Sequence, residues 1–164
     1  MSQEHLDPRS RVLAIDPGVN GALAVIDFNG QVILADELPR FAKSVNGVAL
    51  SEAFHAFRPE RVIIEKVGAM PKQGVSSTFT FGMAYGVCIG VSCAYGAPLA
   101  YVAPAVWKKH FRLLGKDKDA SRETAIKLYP DAASLLKLKK HHGRADAILL
   151  ARYALDLENQ GRFV

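Results

Sequence analysis

The stretch Arg11-Val-Leu-Ala-Ile-Asp16-Pro-Gly-Val-Asn-Gly21-Ala22 decides how the rest of the chain is read. Four apolar residues run straight into a carboxylate, and Pro17 and Gly18 then turn the chain. A short apolar run bounded by turn residues predicts a buried strand. Asp16 then stands at its C-terminal end, where a sheet can hold a charge at the edge of a cleft. An Asp before Pro-Gly is also a common turn cap, so this stretch alone supports both readings.

Working outward, apolar runs at 22–27 and 31–37 flank Phe28-Asn29-Gly30, and Asn-Gly between two such runs predicts a hairpin. Three antiparallel strands therefore open the chain. Residues 39–47 read as loop, and 48–57 as a helix ended by Pro59. Arg61-Val-Ile-Ile-Glu65 then repeats the opening logic, an apolar strand ending in an acid. A lone buried Glu costs several kcal/mol or takes up a proton. Two such strands side by side place two carboxylates at one cleft, where their repulsion calls for a cation.

Residues 66–75 form a Gly- and Pro-containing loop, and Ser76 or Ser77 can cap the helix expected to follow as far as about residue 95. Gly82, Gly86 and Gly90 recur on one face of that helix, with Ala94 continuing the stripe. Each costs about 1 kcal/mol relative to Ala, so the stripe predicts a close approach by another element. A dimer interface and intramolecular packing both fit. A strand at 98–102, a short helix at 104–111 and a helix capped by Asp119 or Ser121 and ended by Pro130 come next. Asp146 is expected in the first turn of a buried helix that runs to about residue 159, with His142 four residues earlier. An acid there also suits the helix dipole. The element order indicates an α/β fold with a mixed sheet.

At 164 residues and 49% hydrophobic content, one core is expected, in a single domain at 11–164 behind a loose polar tail at 1–10. The net charge of +5 is unevenly spread. Residues 107–144 hold eleven Lys or Arg against four acids, which leaves the remainder of the chain slightly acidic. Such a basic segment fits a phosphate-bearing partner, and a solvated lysine face is the plainer alternative. Cys88 and Cys93 are expected to be buried thiols in a reducing compartment. Residues 73–107 carry no formal charge, long enough to span a bilayer. Ser76, Ser77, Thr78, Thr80, Ser92 and Pro98 interrupt the stretch and no second one exists, so no membrane is expected.

Three acids in this setting, two at strand ends and one on a buried helix, match the chemistry of hard divalent cations. Two ions about 4 Å apart activate water and stabilise the leaving oxygen in phosphoryl displacement. The same residues carry a family resemblance. Val-Leu-Ala-Ile-Asp16-Pro-Gly, Val-Ile-Ile-Glu65 and Gly-Arg-Ala-Asp146-Ala-Ile-Leu-Leu-Ala, in this order, resemble the RuvC-type Holliday junction resolvases, and their phage-type branch above all. The likeness runs over about residues 11–155 and includes Trp107-Lys, Gly-Lys-Asp-Lys at 115–118 and the Leu-Tyr-Pro helix end.

That resemblance implies an RNase H-like fold with a mixed five-stranded sheet flanked by helices, a homodimer, and two Mg²⁺ ions per active site. It implies hydrolysis of four-way and other branched DNA by paired symmetric nicks, leaving 5′-phosphate and 3′-hydroxyl ends, in the cytoplasm of a bacterial or phage-infected cell. Asp16 becomes the central metal ligand, Glu65 the second and Asp146 the acid of the last helix. The family's usual fourth acid is missing, and His142 stands near its place as a metal ligand or a general acid or base, which would also admit Mn²⁺. Lys116 and Lys118 fall where the family has lysines near the scissile phosphate. Lys66, Lys72, Lys108 and Arg144 are further candidate DNA contacts, and Gly82, Gly86 and Gly90 the dimer face. Gly68 replaces an aromatic that housekeeping members use to open the junction, leaving Met70 or Phe79 for that task.

Three rivals remain. A relative of the actin-like ATPases and sugar kinases would use Asp16-Pro-Gly on nucleotide phosphates but needs a second domain. A non-catalytic branched-DNA binder would be hindered by three carboxylates that repel phosphates. A ribosomal-RNA-processing nuclease of the same superfold fits the Asp146 helix less well.

Overall fold

The computed structural model describes residues 10–17, 21–68 and 74–163. In chain order the elements are β1 (Arg11–Asp16), β2 (Ala22–Asp27), β3 (Val32–Glu37), β4 (Arg40–Phe41), β5 (Ser44–Val45), α1 (Gly47–Phe57), β6 (Arg61–Glu65), α2 (Val75–Tyr95), β7 (Leu99–Val102), α3 (Pro104–His110) and α4 (Lys118–Leu128). Two 3₁₀ turns, Pro130–Leu136 and Lys139–His141, lead into α5 (His142–Asn159).

Five strands form one mixed sheet in the order β3-β2-β1-β6-β7. The first three make the expected antiparallel meander, and β6 and β7 run parallel to β1. The β2–β3 turn is built by Asp27, whose Oδ1 accepts the Gln31 N–H at 2.8 Å. Gly30 follows at φ 83°, a conformation that favours glycine.

Strand alternation divides the core. Val12, Ala14 and Ile63 face α5 together with Trp107, Ile148 and Leu149. Leu13, Ile15, Val62 and Ile64 face α1 and α2 together with Leu50, Phe54 and Cys88. Both faces of the central strands are covered, which explains why their sequences are continuous apolar runs.

Several boundaries differ from the sequence reading. Part of the loop at 39–47 is the small β4–β5 hairpin. Helix α2 begins after Gly74, with no side-chain cap from Ser76 or Ser77. Asp117 caps α4 by accepting from the Asp119 and Ala120 N–H groups, in place of Asp119 or Ser121. Helix α5 already starts at His142, so Asp146 lies in its second turn. Cys93 is exposed, although Cys88 is buried as expected.

Only one side of α2 meets the sheet. Among the described residues nothing lies within 4 Å of a Cβ built on Gly82, Gly86 or Gly90, and Phe79 and Met83 are exposed beside them. No described part of this chain therefore packs on the glycine stripe. By length and composition alone α2 could also cross a membrane.

Candidate functional site

The carboxyl ends of β1 and β6 position the first two acids. Ile15 and Ile64 are register partners on parallel strands, so Asp16 and Glu65, each one residue further, end side by side. Adjacent strands lie about 4.8 Å apart. Alternation turns both toward α5, because Ala14 and Ile63 face that way and side chains repeat every second residue. Helix α5 crosses this face and packs on β1 and β2. Asp146 projects from it one turn after His142.

Glu65 and Asp146, both partly buried, each have a side-chain partner. The Trp107 indole N–H donates to Glu65 Oε1 at 2.8 Å. The Ser121 hydroxyl hydrogen-bonds the Asp146 side chain. Asp146 Oδ1, by contrast, is buried with no hydrogen-bond partner. A buried carboxylate oxygen left bare carries a desolvation penalty, which a cation at that point would relieve.

Burial is the largest influence on both groups and pushes their carboxyls above the usual value. For Glu65 the Trp107 hydrogen bond and the Lys108 charge oppose the rise, and Asp146 adds to it. For Asp146 the opposing influences after Ser121 are Lys108, His142 and Lys118. The charge of Lys108 thus acts on both Glu65 and Asp146, and those of His142 and Lys118 on Asp146. Beneath them, burial pushes the Cys88 thiol up to about 12, with the charge of Asp16 contributing. That thiol stays protonated at neutral pH.

Among the described residues, no three His, Cys, Asp or Glu side chains form a ready-made metal-binding group. The donor set nonetheless suits a hard cation. It offers carboxylate oxygens from three elements, one of them buried and bare, with the charges of Lys108 and Lys118 acting on Asp146.

Arg144 lies in the first turn of α5 and is ion-paired. Its Nη2 donates to Asp36 Oδ1 at 2.8 Å, which ties the start of α5 to β3. Lys66 and Lys116 are exposed, and the charges that act on Glu65 and Asp146 come instead from Lys108, Lys118 and His142. Lys72 and Met70 lie outside the described residues. A cavity of about 270 Å³ opens beside Ala22, the register partner of Asp16, and includes Arg40, Lys140, His141, His142 and Arg144 in its lining.

Trp107 and Ser121 were not assigned to the site from sequence. A buried indole needs an acceptor, so Trp107 carried a signal, but not its partner's identity. Ser121 reads as a helix cap. Asp117 takes that role, which turns Ser121 inward.

No known family description matches the sequence. A curated relative, the chloroplastic Holliday junction resolvase MOC1 of Chlamydomonas reinhardtii, is 34% identical over 93 residues, 56% of this chain. That match spans about a tenth (10%) of the relative's length. Thermus thermophilus RuvC, solved in complex with a Holliday junction substrate, superposes with a TM-score of 0.66 at 20% identity, covering 93% of this chain and 97% of that one. The yeast mitochondrial Holliday junction resolvase Ydc2 gives 0.57 at 14% identity, covering 96% and 82%. The fowlpox virus resolvase, solved with Holliday junction DNA, gives 0.51 at 15%, covering 89% and 97%. The architecture is the RNase H-like fold of these proteins.

Proposed function

We propose that this protein is a divalent-cation-dependent endonuclease that resolves four-way DNA junctions as a homodimer. One observation carries the reading. Two strand-end carboxylates, Asp16 and Glu65, face a buried helix whose Asp146 presents a bare, buried oxygen, next to Lys108 and Lys118. A turn cap needs none of that convergence. The likeness to junction resolvases in sequence and in fold supports the substrate class.

Asp16, Glu65 and Asp146 would hold Mg²⁺, with Mn²⁺ as a substitute. When bound, a pair of such ions supplies a nucleophilic water at neutral pH and stabilises the leaving oxygen of an in-line displacement. The chain's own residues do the rest. Trp107 and Ser121 fix the two buried carboxylates. Lys108 and Lys118 attract the scissile phosphate and offset its growing charge. His142, one turn before Asp146, takes the proton of the attacking water. Water oxygen bonds to phosphorus, the P–O3′ bond breaks, and the leaving 3′ oxygen takes a proton from a solvent water. The products are a 5′-phosphate and a 3′-hydroxyl.

The uncovered glycine face of α2 supports the dimer. Small residues four apart let two helices approach closely, and Phe79 and Met83 beside them favour an apolar partner. A second copy fits better than lipid, because Ser76, Ser77 and Thr78 occupy the start of the same helix. Two sites related by a twofold axis would make the paired nicks. Gly68 in place of an aromatic fits the phage-type branch and leaves exposed Phe79 to distort the junction.

The reading is tested with Asp16→Asn and Asp146→Asn on a labelled four-way junction in Mg²⁺. Both variants are expected to bind the junction and fail to cut it. Cleavage retained by either would remove that residue from the proposed site.

A further inference from the structure

Trp107 is the only tryptophan in the chain, and packing alone does not account for its place. It sits on α3 at 1% exposure, in the core beneath α5. A buried indole N–H needs one acceptor, which a backbone carbonyl would supply at no cost to other chemistry. Here the acceptor is Oε1 of Glu65, from a strand 42 residues away in sequence. The next residue, Lys108, lays its Nζ 5.3 Å from the centre of the same indole. The pair Trp107-Lys108 therefore addresses Glu65 twice, by a rigid hydrogen bond and by a charge.

A carboxylate with one oxygen held by a buried, immobile donor has its other oxygen to offer. We propose that Trp107 is a positioning residue that makes Glu65 ligate its cation through Oε2 alone, and that this geometry selects Mg²⁺ over Ca²⁺. Mg²⁺ demands near-octahedral coordination at short distances and takes one oxygen from each carboxylate. Ca²⁺ is larger, accepts more oxygens and readily takes both from one carboxylate. Releasing Oε1 restores the two-oxygen option and the freedom of the side chain to rotate toward it. The inference rests on the metal-dependent reading above and adds the device that sets its ion preference.

The test measures Mg²⁺ and Ca²⁺ binding to the whole protein by calorimetry, without DNA. Wild type is compared with Trp107→Phe and with protein in which Trp107 is replaced by its benzothienyl analogue, which keeps the shape and lacks the N–H. Having a single tryptophan makes that replacement specific to one site. Outer-shell partners of metal ligands typically contribute tenfold or more to affinity, so Mg²⁺ binding is expected to weaken about tenfold in both variants while Ca²⁺ binding stays within about threefold or tightens. Equal weakening of both ions, or no change in either, would overturn the proposal. In wild type the emission of Trp107 is expected to follow the Mg²⁺ titration with the calorimetric midpoint. If wild type binds no Mg²⁺, the metal-dependent reading fails and the inference fails with it. If it binds Mg²⁺ and the variants keep its ion preference, the inference alone fails.

Discussion

Asp146 and Glu65 carry carboxyls that burial pushes above their ordinary values, and that direction fixes how the metal-free protein responds to pH. The folded chain holds these protons more tightly than the unfolded chain does. Its stability is therefore penalised above the raised values and recovers as pH falls through them. Thermal melts of metal-free protein are expected to show Tm rising as pH is lowered from above the raised values toward the ordinary carboxyl range, where these groups protonate. A Tm that falls steadily over that range would contradict the assignment. Asp146→Asn removes the buried charge and leaves an amide beside Ser121. It is expected to raise the metal-free Tm at neutral pH, by roughly 2–4 °C for each kcal/mol relieved, while abolishing cleavage. At this scale Asp16 and Glu65 were legible, because an acid ending an apolar run contradicts the pattern that buries it. The partners of Glu65 and Asp146 were not, since a hydrogen bond across 42 residues depends on how α3 docks.

Among the elements, α2 and the segment around α4 make separable predictions. Gly86→Leu adds a side chain where nothing described in the chain stands within 4 Å, and it removes a helix-interior glycine that costs about 1 kcal/mol. The monomer is expected to fold with an equal or higher Tm, while sedimentation changes from dimer to monomer. A dimer that survives unaltered would move the interface elsewhere. Lys118→Ala is expected to slow single-turnover cleavage about tenfold or more, with junction affinity little changed, as gel-shift titration would show. An equal loss in both would make Lys118 a binding contact only. The phase of α2 was also readable. Cys88 and Cys93, five apart, point about 140° from each other on a helix, so one sheet could not bury both. The β4–β5 hairpin was not readable, because strands of two residues have no period. Its Val45 is buried in the α1–α2 side of the core, so tertiary packing fixes it.

At the scale of the whole molecule, the sheet followed from continuous apolar runs bounded by turn residues, and the candidate site from the acids that end two of them. The basic segment divides in the structure. The charge of Lys108 acts on Glu65 and Asp146 and that of Lys118 on Asp146, whereas Arg144 is ion-paired to Asp36 and joins α5 to the sheet. The central claim is that this arrangement cuts branched DNA and spares plain duplex. The most direct measurement incubates the purified protein with end-labelled four-way junction and with linear duplex of the same sequences, in Mg²⁺, and maps the ends. The account predicts paired nicks at symmetric positions across the junction, with 5′-phosphate and 3′-hydroxyl ends, and negligible cutting of the duplex. Equal cutting of both substrates, or no cutting of the junction in either Mg²⁺ or Mn²⁺, would contradict it.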